Sequence, residues 1–125
     1  MSARPATDGA AIDIPKIIIA GSRSITNEKW IFVRIHCTLR AWEVTEGYLV
    51  LSGAYPTGPD KIAIDWATTH GVKVELFPAD WDRHDRAEAA THLIAFWDGR
   101  SRGTKSMINE AFGQGLEVVV WRAWQ

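Results

Sequence analysis

The sequence is poor in cysteine: Cys37 is the only one. No intrachain disulfide can form, and no cysteine-based zinc site can be assembled. There is no excess of charge of either sign. The 14 basic and 15 acidic residues leave a formal net charge of −1, which argues against a general nucleic-acid or membrane-surface binder. Any affinity for phosphate must therefore come from a local site. No run approaches the roughly 18 apolar residues of a membrane span, and MSARPATDGA at the start lacks the apolar core of a signal peptide. The expectation is a cytoplasmic protein with no membrane contact. Tryptophan, by contrast, is abundant, with seven in 125 residues; core packing is the default role for most of them.

A chain of this length suits one domain, burying roughly two-thirds of its unfolded surface without a structural metal or disulfide. Residues 1–14 are small and polar and read as a loose tail, leaving 15–125 as one domain. Five short aliphatic runs follow: KIIIA at 16–20, YLVLS at 48–52, VKVELF at 72–77, HLIAF at 92–96 and EVVVW at 117–121. Continuous apolar runs of this kind mark strands buried on both faces, as in a parallel sheet.

Helical patterns lie between them. Asn27 suits an N-cap for a helix over 28–44. Pro59 opens a helix over 59–70 that stops before Gly71, and a third helix spans 104–114. The connection 78–91 has room only for a short one. Alternation of strand and helix predicts an α/β, Rossmann-like, doubly wound fold on a mainly parallel five-stranded sheet.

In such sheets ligands bind beyond the carboxyl ends of the strands, where the strand order reverses. For an order 3-2-1-4-5 that point falls between the first and fourth strands. The exits there are Gly21-Ser22-Arg23-Ser24 and Asp98-Gly99-Arg100-Ser101-Arg102-Gly103-Thr104, the two richest in glycine and hydroxyl residues. The second lacks the Lys-Ser/Thr pair of a Walker A loop. Backbone N–H groups at a helix N-terminus bind anions, and hydroxyls add donors. Gly103 and Thr104 can present such N–H groups, Ser101 or Thr104 a hydroxyl, and Arg23, Arg100 and Arg102 bidentate contacts to phosphate. The competing reading is that Ser101 or Thr104 simply caps the helix while the arginines are solvated. A third turn, Gly53 to Asp60, contains Gly58. Its Asp60 favours the dipole of the next helix, with contact to a ribose hydroxyl or bracing of the loop as functional alternatives.

Taken together, KIIIAGSRSIT, LVLSGAYPTGPDKIAIDWA, VELFPADWDRH and LIAFWDGRSRGTKSMINEA resemble the YspA/YpsA-like branch of the SLOG superfamily. The resemblance implies a Rossmann-like fold related to the LOG phosphoribohydrolases, which cleave nucleoside monophosphates at the N-glycosidic bond. Other members resemble sensors of nucleotide-derived ligands or bind single-stranded DNA. By motif, Gly21, Ser22 and Arg23 would line a phosphate or ribose wall. Gly99, Ser101, Gly103 and Thr104 would replace the Gly-Gly-x-Gly-Thr loop of LOG proteins. Glu110 would match the acidic residue following that loop, or be an ordinary solvated helix residue.

One family element is missing. A segment resembling Gly-Pro-x-Arg-Asn should follow Ala79-Asp80-Trp81, but here Asp82-Arg83-His84-Asp85-Arg86 runs straight into Ala87. The expected function is thus binding or sensing of a phosphorylated, nucleotide-derived ligand, ADP-ribose or nucleoside-monophosphate-like. The alternative is a phosphoribohydrolase or related enzyme, with Asp60, Asp98 or Glu110 as its acidic residue. Single-stranded DNA fits poorly with near-neutral charge and no basic stripe.

No metal or cofactor is expected: Asp80, Asp82, His84 and Asp85 match no metal-loop spacing. His36 and Cys37 should pack on the first helix. Trp81 and Trp97 flank the expected cleft, and Trp121 and Trp124 could extend an apolar patch. A homo-oligomer, a dimer, is expected from the tryptophan content, the small domain and the habit of SLOG proteins.

Overall fold

The computed structural model describes residues 14–53, 55–77 and 87–123. Most of the expected tail, Ala54, the Ala79–Arg86 segment with its acidic cluster and Trp81, and Trp124 lie outside these. Strands and helices alternate as β1 (Lys16–Gly21), α1 (Glu28–Ala41), β2 (Leu49–Ser52), α2 (Pro59–His70), β3 (Lys73–Leu76), β4 (His92–Trp97), α3 (Arg102–Gly113) and β5 (Glu117–Arg122). The five strands form one sheet in the order β3-β2-β1-β4-β5, and every pairing is parallel. The first and fourth strands are neighbours, in register from Ile17 opposite His92 to Gly21 opposite Phe96. This is the Rossmann-like α/β arrangement read from the aliphatic runs.

Side chains alternate across a strand, and β1 divides its isoleucines accordingly. Ile17 and Ile19 join Ile31, Ile35 and Leu39 of α1 and Ile62, Ala63 and Trp66 of α2 in one core. Ile18 joins Leu93 and Ala95 of β4 and Met107, Ile108 and Ala111 of α3 in the other. Helices thus cover both faces, which is why the central strands read as unbroken apolar runs. Each isoleucine fully withdrawn from water contributes about 1.5–3 kcal/mol, so β1 helps hold the two layers together, as β4 does with Ile94 and Phe96 in the first core and Leu93 and Ala95 in the second. The outer strand β3 instead exposes Lys73 and Glu75, charges that discourage edge-to-edge pairing.

Local signals set the helix boundaries, with two departures from expectation. Asn27 caps α1, its Oδ1 accepting the Trp30 N–H at 3.0 Å. The helix ends at Ala41 rather than at residue 44 because Glu43 takes a left-handed φ of 61°. There the Val44 N–H bonds the Leu39 carbonyl at 2.9 Å and the Glu43 N–H bonds Arg40 at 3.0 Å. This is a Schellman ending built on a glutamate instead of a glycine, so the usual stop signal was absent from the sequence. At the other departure, α3 begins at Arg102 rather than 104, since Ser101 is its cap.

His36 and Cys37 do not pack as expected. Both are exposed on α1, because its buried stripe runs through Ile31, Ile35, Thr38 and Leu39. Trp121 is likewise no surface patch: it packs against the first core, and its indole N–H donates to Thr38 Oγ1 at 2.9 Å. Among the described residues no helix is long and apolar enough to cross a membrane.

Candidate functional site

A cavity of about 550 Å³ opens at the carboxyl ends of β1, β2 and β4. Its walls are three loops: Gly21, Ser22, Arg23 and Ser24 after β1; Gly53, Tyr55, Thr57 and Asp60 between β2 and α2; and Asp98, Ser101, Gly103 and Thr104 around the start of α3. Ala20 and Met107 complete the lining. The two exits expected at the switch point do converge there.

Ser22 is the joint between them. Only 1 % of it is exposed. Its N–H donates to the Phe96 carbonyl at 2.9 Å, carrying the β1–β4 ladder one step past the strand. Its Oγ accepts the Asp98 N–H at 3.1 Å and lies 3.4 Å from Thr104 Oγ1. Thr104 Oγ1 is in turn 3.1 Å from Ser101 Oγ. Three hydroxyls therefore form a chain across the base of the cavity, at the N-terminus of α3. Hydroxyls can reverse donor and acceptor roles by rotating, so this chain can turn donors toward an incoming anion without moving heavy atoms.

The N-terminus itself is partly committed. Ser101 Oγ accepts the Thr104 N–H at 3.2 Å. The expectation that Thr104 offers its N–H to a ligand is therefore corrected: that donor serves the cap, and Thr104 offers its hydroxyl. Gly103, in the first turn, lines the cavity.

Asp98 organises this loop. Its Oδ1 accepts the N–H groups of Arg100 and Ser101, both at 2.8 Å, and its Oδ2 accepts from Ser24 Oγ at 3.4 Å. The bonds from Ser101 and Arg100, with smaller help from Ser22 and Ser24, hold the carboxyl below its ordinary value of 3.8, because hydrogen bonds to the charged form favour it. Asp98 is thus an ionised carboxylate on the cavity wall whose lone pairs brace the turn. Asp60 braces the neighbouring loop: Oδ2 accepts the Tyr55 N–H at 3.3 Å, and its carbonyl accepts from Ser52 Oγ at 2.9 Å. Of its alternative roles, the loop-bracing one is visible.

Two glycines are there for close approach. A Cβ on Gly21 would fall on the Phe96 carbonyl oxygen and within 2.9 Å of Phe96 Cβ. Gly58 has φ +81° and packs against the Arg23 backbone, where a Cβ would come within 3.0 Å of its Cα and carbonyl oxygen. This contact seats the first loop on the N-terminus of α2. Arg23 then reaches over the Tyr55 ring, its guanidinium carbon 3.8 Å from the centroid, so a cation–π contact spans the mouth of the cavity.

Several expected residues sit elsewhere. Gly58, Gly99, Arg102 and Glu110 are not on the cavity wall. Gly99 lies under the Arg122 side chain, Arg102 is exposed at the first position of α3, and Glu110 Oε2 accepts from Gln114 at 3.3 Å further along the helix. Trp97 does not flank the cleft either; its indole N–H donates to the Ser101 carbonyl at 3.0 Å and it packs against the second core. Sequence reasoning missed Ala20, Tyr55, Thr57 and Met107 as wall residues. Met107 follows Thr104 by three, a spacing that shares a helix face, and was available as a signal. Among the described residues no group of three or more His, Cys, Asp or Glu could hold a metal ion.

Comparison with known proteins gives one family and no individual relative. No curated protein and no solved structure matches the chain significantly. The family model of the YspA, cpYpsA-related SLOG proteins matches residues 15–84. That stretch holds β1, α1, β2, α2 and β3, and with them two of the three loops around the cavity. The β4–α3 loop lies beyond the match, and its place at the site rests on geometry alone. With the fold, the strand order and this match in agreement, the chain belongs to the YspA, cpYpsA-related SLOG family.

Proposed function

We propose that the cavity binds a phosphorylated, nucleotide-derived ligand, ADP-ribose or nucleoside-monophosphate-like, and that the protein acts as its binder or sensor. Membership of the family supports nucleotide-related binding or processing in general. The observation that carries the finer reading is the hydroxyl chain Ser22–Thr104–Ser101 at the N-terminus of α3, with Arg23 on the opposing loop. A helix N-terminus favours an anion through its dipole, and the hydroxyls there can turn donors toward it. Arg23, released from Tyr55, supplies a planar fork for an oxyanion.

The alternative, an enzyme cleaving the N-glycosidic bond, draws support from the two carboxylates on the cavity wall, Asp60 and Asp98. Both already accept hydrogen bonds that brace their loops. Neither is unburdened for proton transfer, and the Arg-Asn element is missing. Slow or absent cleavage is the expected outcome.

Calorimetric titration tests the reading. Losing one charge-assisted contact costs roughly 1.5–3 kcal/mol, so Arg23→Ala should weaken AMP or ADP-ribose about tenfold or more and leave adenosine nearly unaffected. Equal weakening of both kinds of ligand would remove phosphate from the account. Rapid release of adenine from AMP would favour the enzyme.

A further inference from the structure

A second cavity, of about 390 Å³, adjoins the first at Ser24, which lines both. We propose that it seats the planar heterocyclic end of the ligand whose phosphate end occupies the first cavity; the inference rests on the phosphate reading above. Small-molecule sites span roughly 300–1,000 Å³. Each cavity falls within that range, the second toward its small end, and the pair meeting at Ser24 suits an elongated molecule with two chemically different ends.

The linings differ in the way such a molecule requires. The first cavity carries Asp60 and Asp98. The second has no acidic residue; besides Ile25 it is walled by Thr26, Asn27, Trp30, Arg122 and Ala123. Asn27 spends its Oδ1 on the Trp30 N–H, so its amide NH₂ is what it can offer. With the Thr26 hydroxyl it gives the polar wall donors, and Arg122 adds positive charge beside them. An acceptor-rich ring, with its nitrogens and carbonyls, matches that wall.

The apolar wall is held in place beforehand. The Arg34 guanidinium lies 4.2 Å over the Trp30 ring and its Nη1 donates to the Trp30 carbonyl at 3.4 Å. Phe96 meets the same indole edge-on at 5.9 Å between centroids. A ring settling against Trp30 thus pays little to order it, the condition under which aromatic contact adds most.

The test compares ligands that share a phosphate and differ in the base. Calorimetry would be run with ribose 5-phosphate, AMP and ADP-ribose on the wild type, on Thr26→Trp and on Thr26→Ser. Thr26 is exposed at the cavity wall, so a tryptophan there fills the space without entering either core; circular dichroism checks that the fold is kept.

The expected result is that an adenine-bearing ligand binds wild type about tenfold or more tightly than ribose 5-phosphate, in line with the worth of one aromatic contact to a base. Thr26→Trp should erase that preference with ribose 5-phosphate unchanged, and Thr26→Ser should keep it. Ribose 5-phosphate binding with no gain from adenine, or a gain that survives Thr26→Trp, would overturn the second subsite while sparing the phosphate site. Failure of all three ligands to bind would overturn both.

Discussion

Asp98 shows how a single side chain can be placed in a site by its bonds rather than by its reactivity. Its carboxylate holds two consecutive N–H groups of the β4–α3 loop, so its charge state and the loop's shape are linked. The folded protein holds this carboxyl below 3.8 through the bonds from Ser101 and Arg100. A depressed acid stabilises the fold fully above its unfolded value, and that stability is lost as pH falls through the lower folded value. Asp98→Asn should therefore be less stable than wild type at pH 7 by about 1 kcal/mol, a cap-sized effect for a solvent-screened group. The deficit should shrink as denaturation is repeated below pH 3.8. A deficit that does not change with pH would mean that the charge of Asp98 does not support the loop. The sequence offered Asp98 as a ligand or acid candidate; that its lone pairs are turned back on its own loop follows only from the backbone conformation, which no spacing rule revealed.

At the scale of elements, α3 joins site and core. Its cap, Ser101, meets the hydroxyl chain, while Met107, Ile108 and Ala111 anchor its other side in the second core. An N-cap serine replaced by alanine costs typically ~1 kcal/mol, and by glycine only a few tenths. Ser101→Ala should therefore lower stability clearly more than Ser101→Gly in chemical denaturation. Equal losses would place the role of Ser101 in the hydroxyl chain rather than in the cap.

The elements were the most legible part of the sequence. The runs of the three central strands β1, β2 and β4 were plain because burial on both faces leaves no alternating polar residues to blur them, while the outer strands β3 and β5 formed from runs that keep exposed charges such as Lys73, Glu75 and Glu117. The ends were less legible where the terminating residue broke habit, as Glu43 does in taking the left-handed turn of α1. The site was legible at the level of loops, since glycine and hydroxyl clusters mark strand exits. It was not legible at the level of which side chains face inward: Gly58, Gly99, Arg102 and Glu110 were expected near the ligand and stand off the cavity wall, while Tyr55, Thr57 and Met107 line it.

For the whole molecule, the strand order β3-β2-β1-β4-β5 puts the reversal between β1 and β4, and the larger cavity lies at that reversal. Phe112 is 61 % exposed, and Val33, Leu76 and Val120 are exposed as well. Such residues are ordinary when scattered singly; gathered on one face they are what a second copy of the chain would cover. We propose a dimer, and light scattering should report twice the 14.0 kDa chain mass; a monomer at high protein concentration would contradict this.

Phosphate is proposed to bind between the β1 and β4 exits. The most direct measurement is a titration of the ¹⁵N-labelled protein with ribose 5-phosphate, followed amide by amide in NMR spectra. The saturable shifts should concentrate at Gly21–Ser24 and Asp98–Thr104, with the opposite ends of the strands, around Lys16 and His92, left unmoved. Saturable shifts confined to any other surface, or no shift at millimolar ligand, would contradict it.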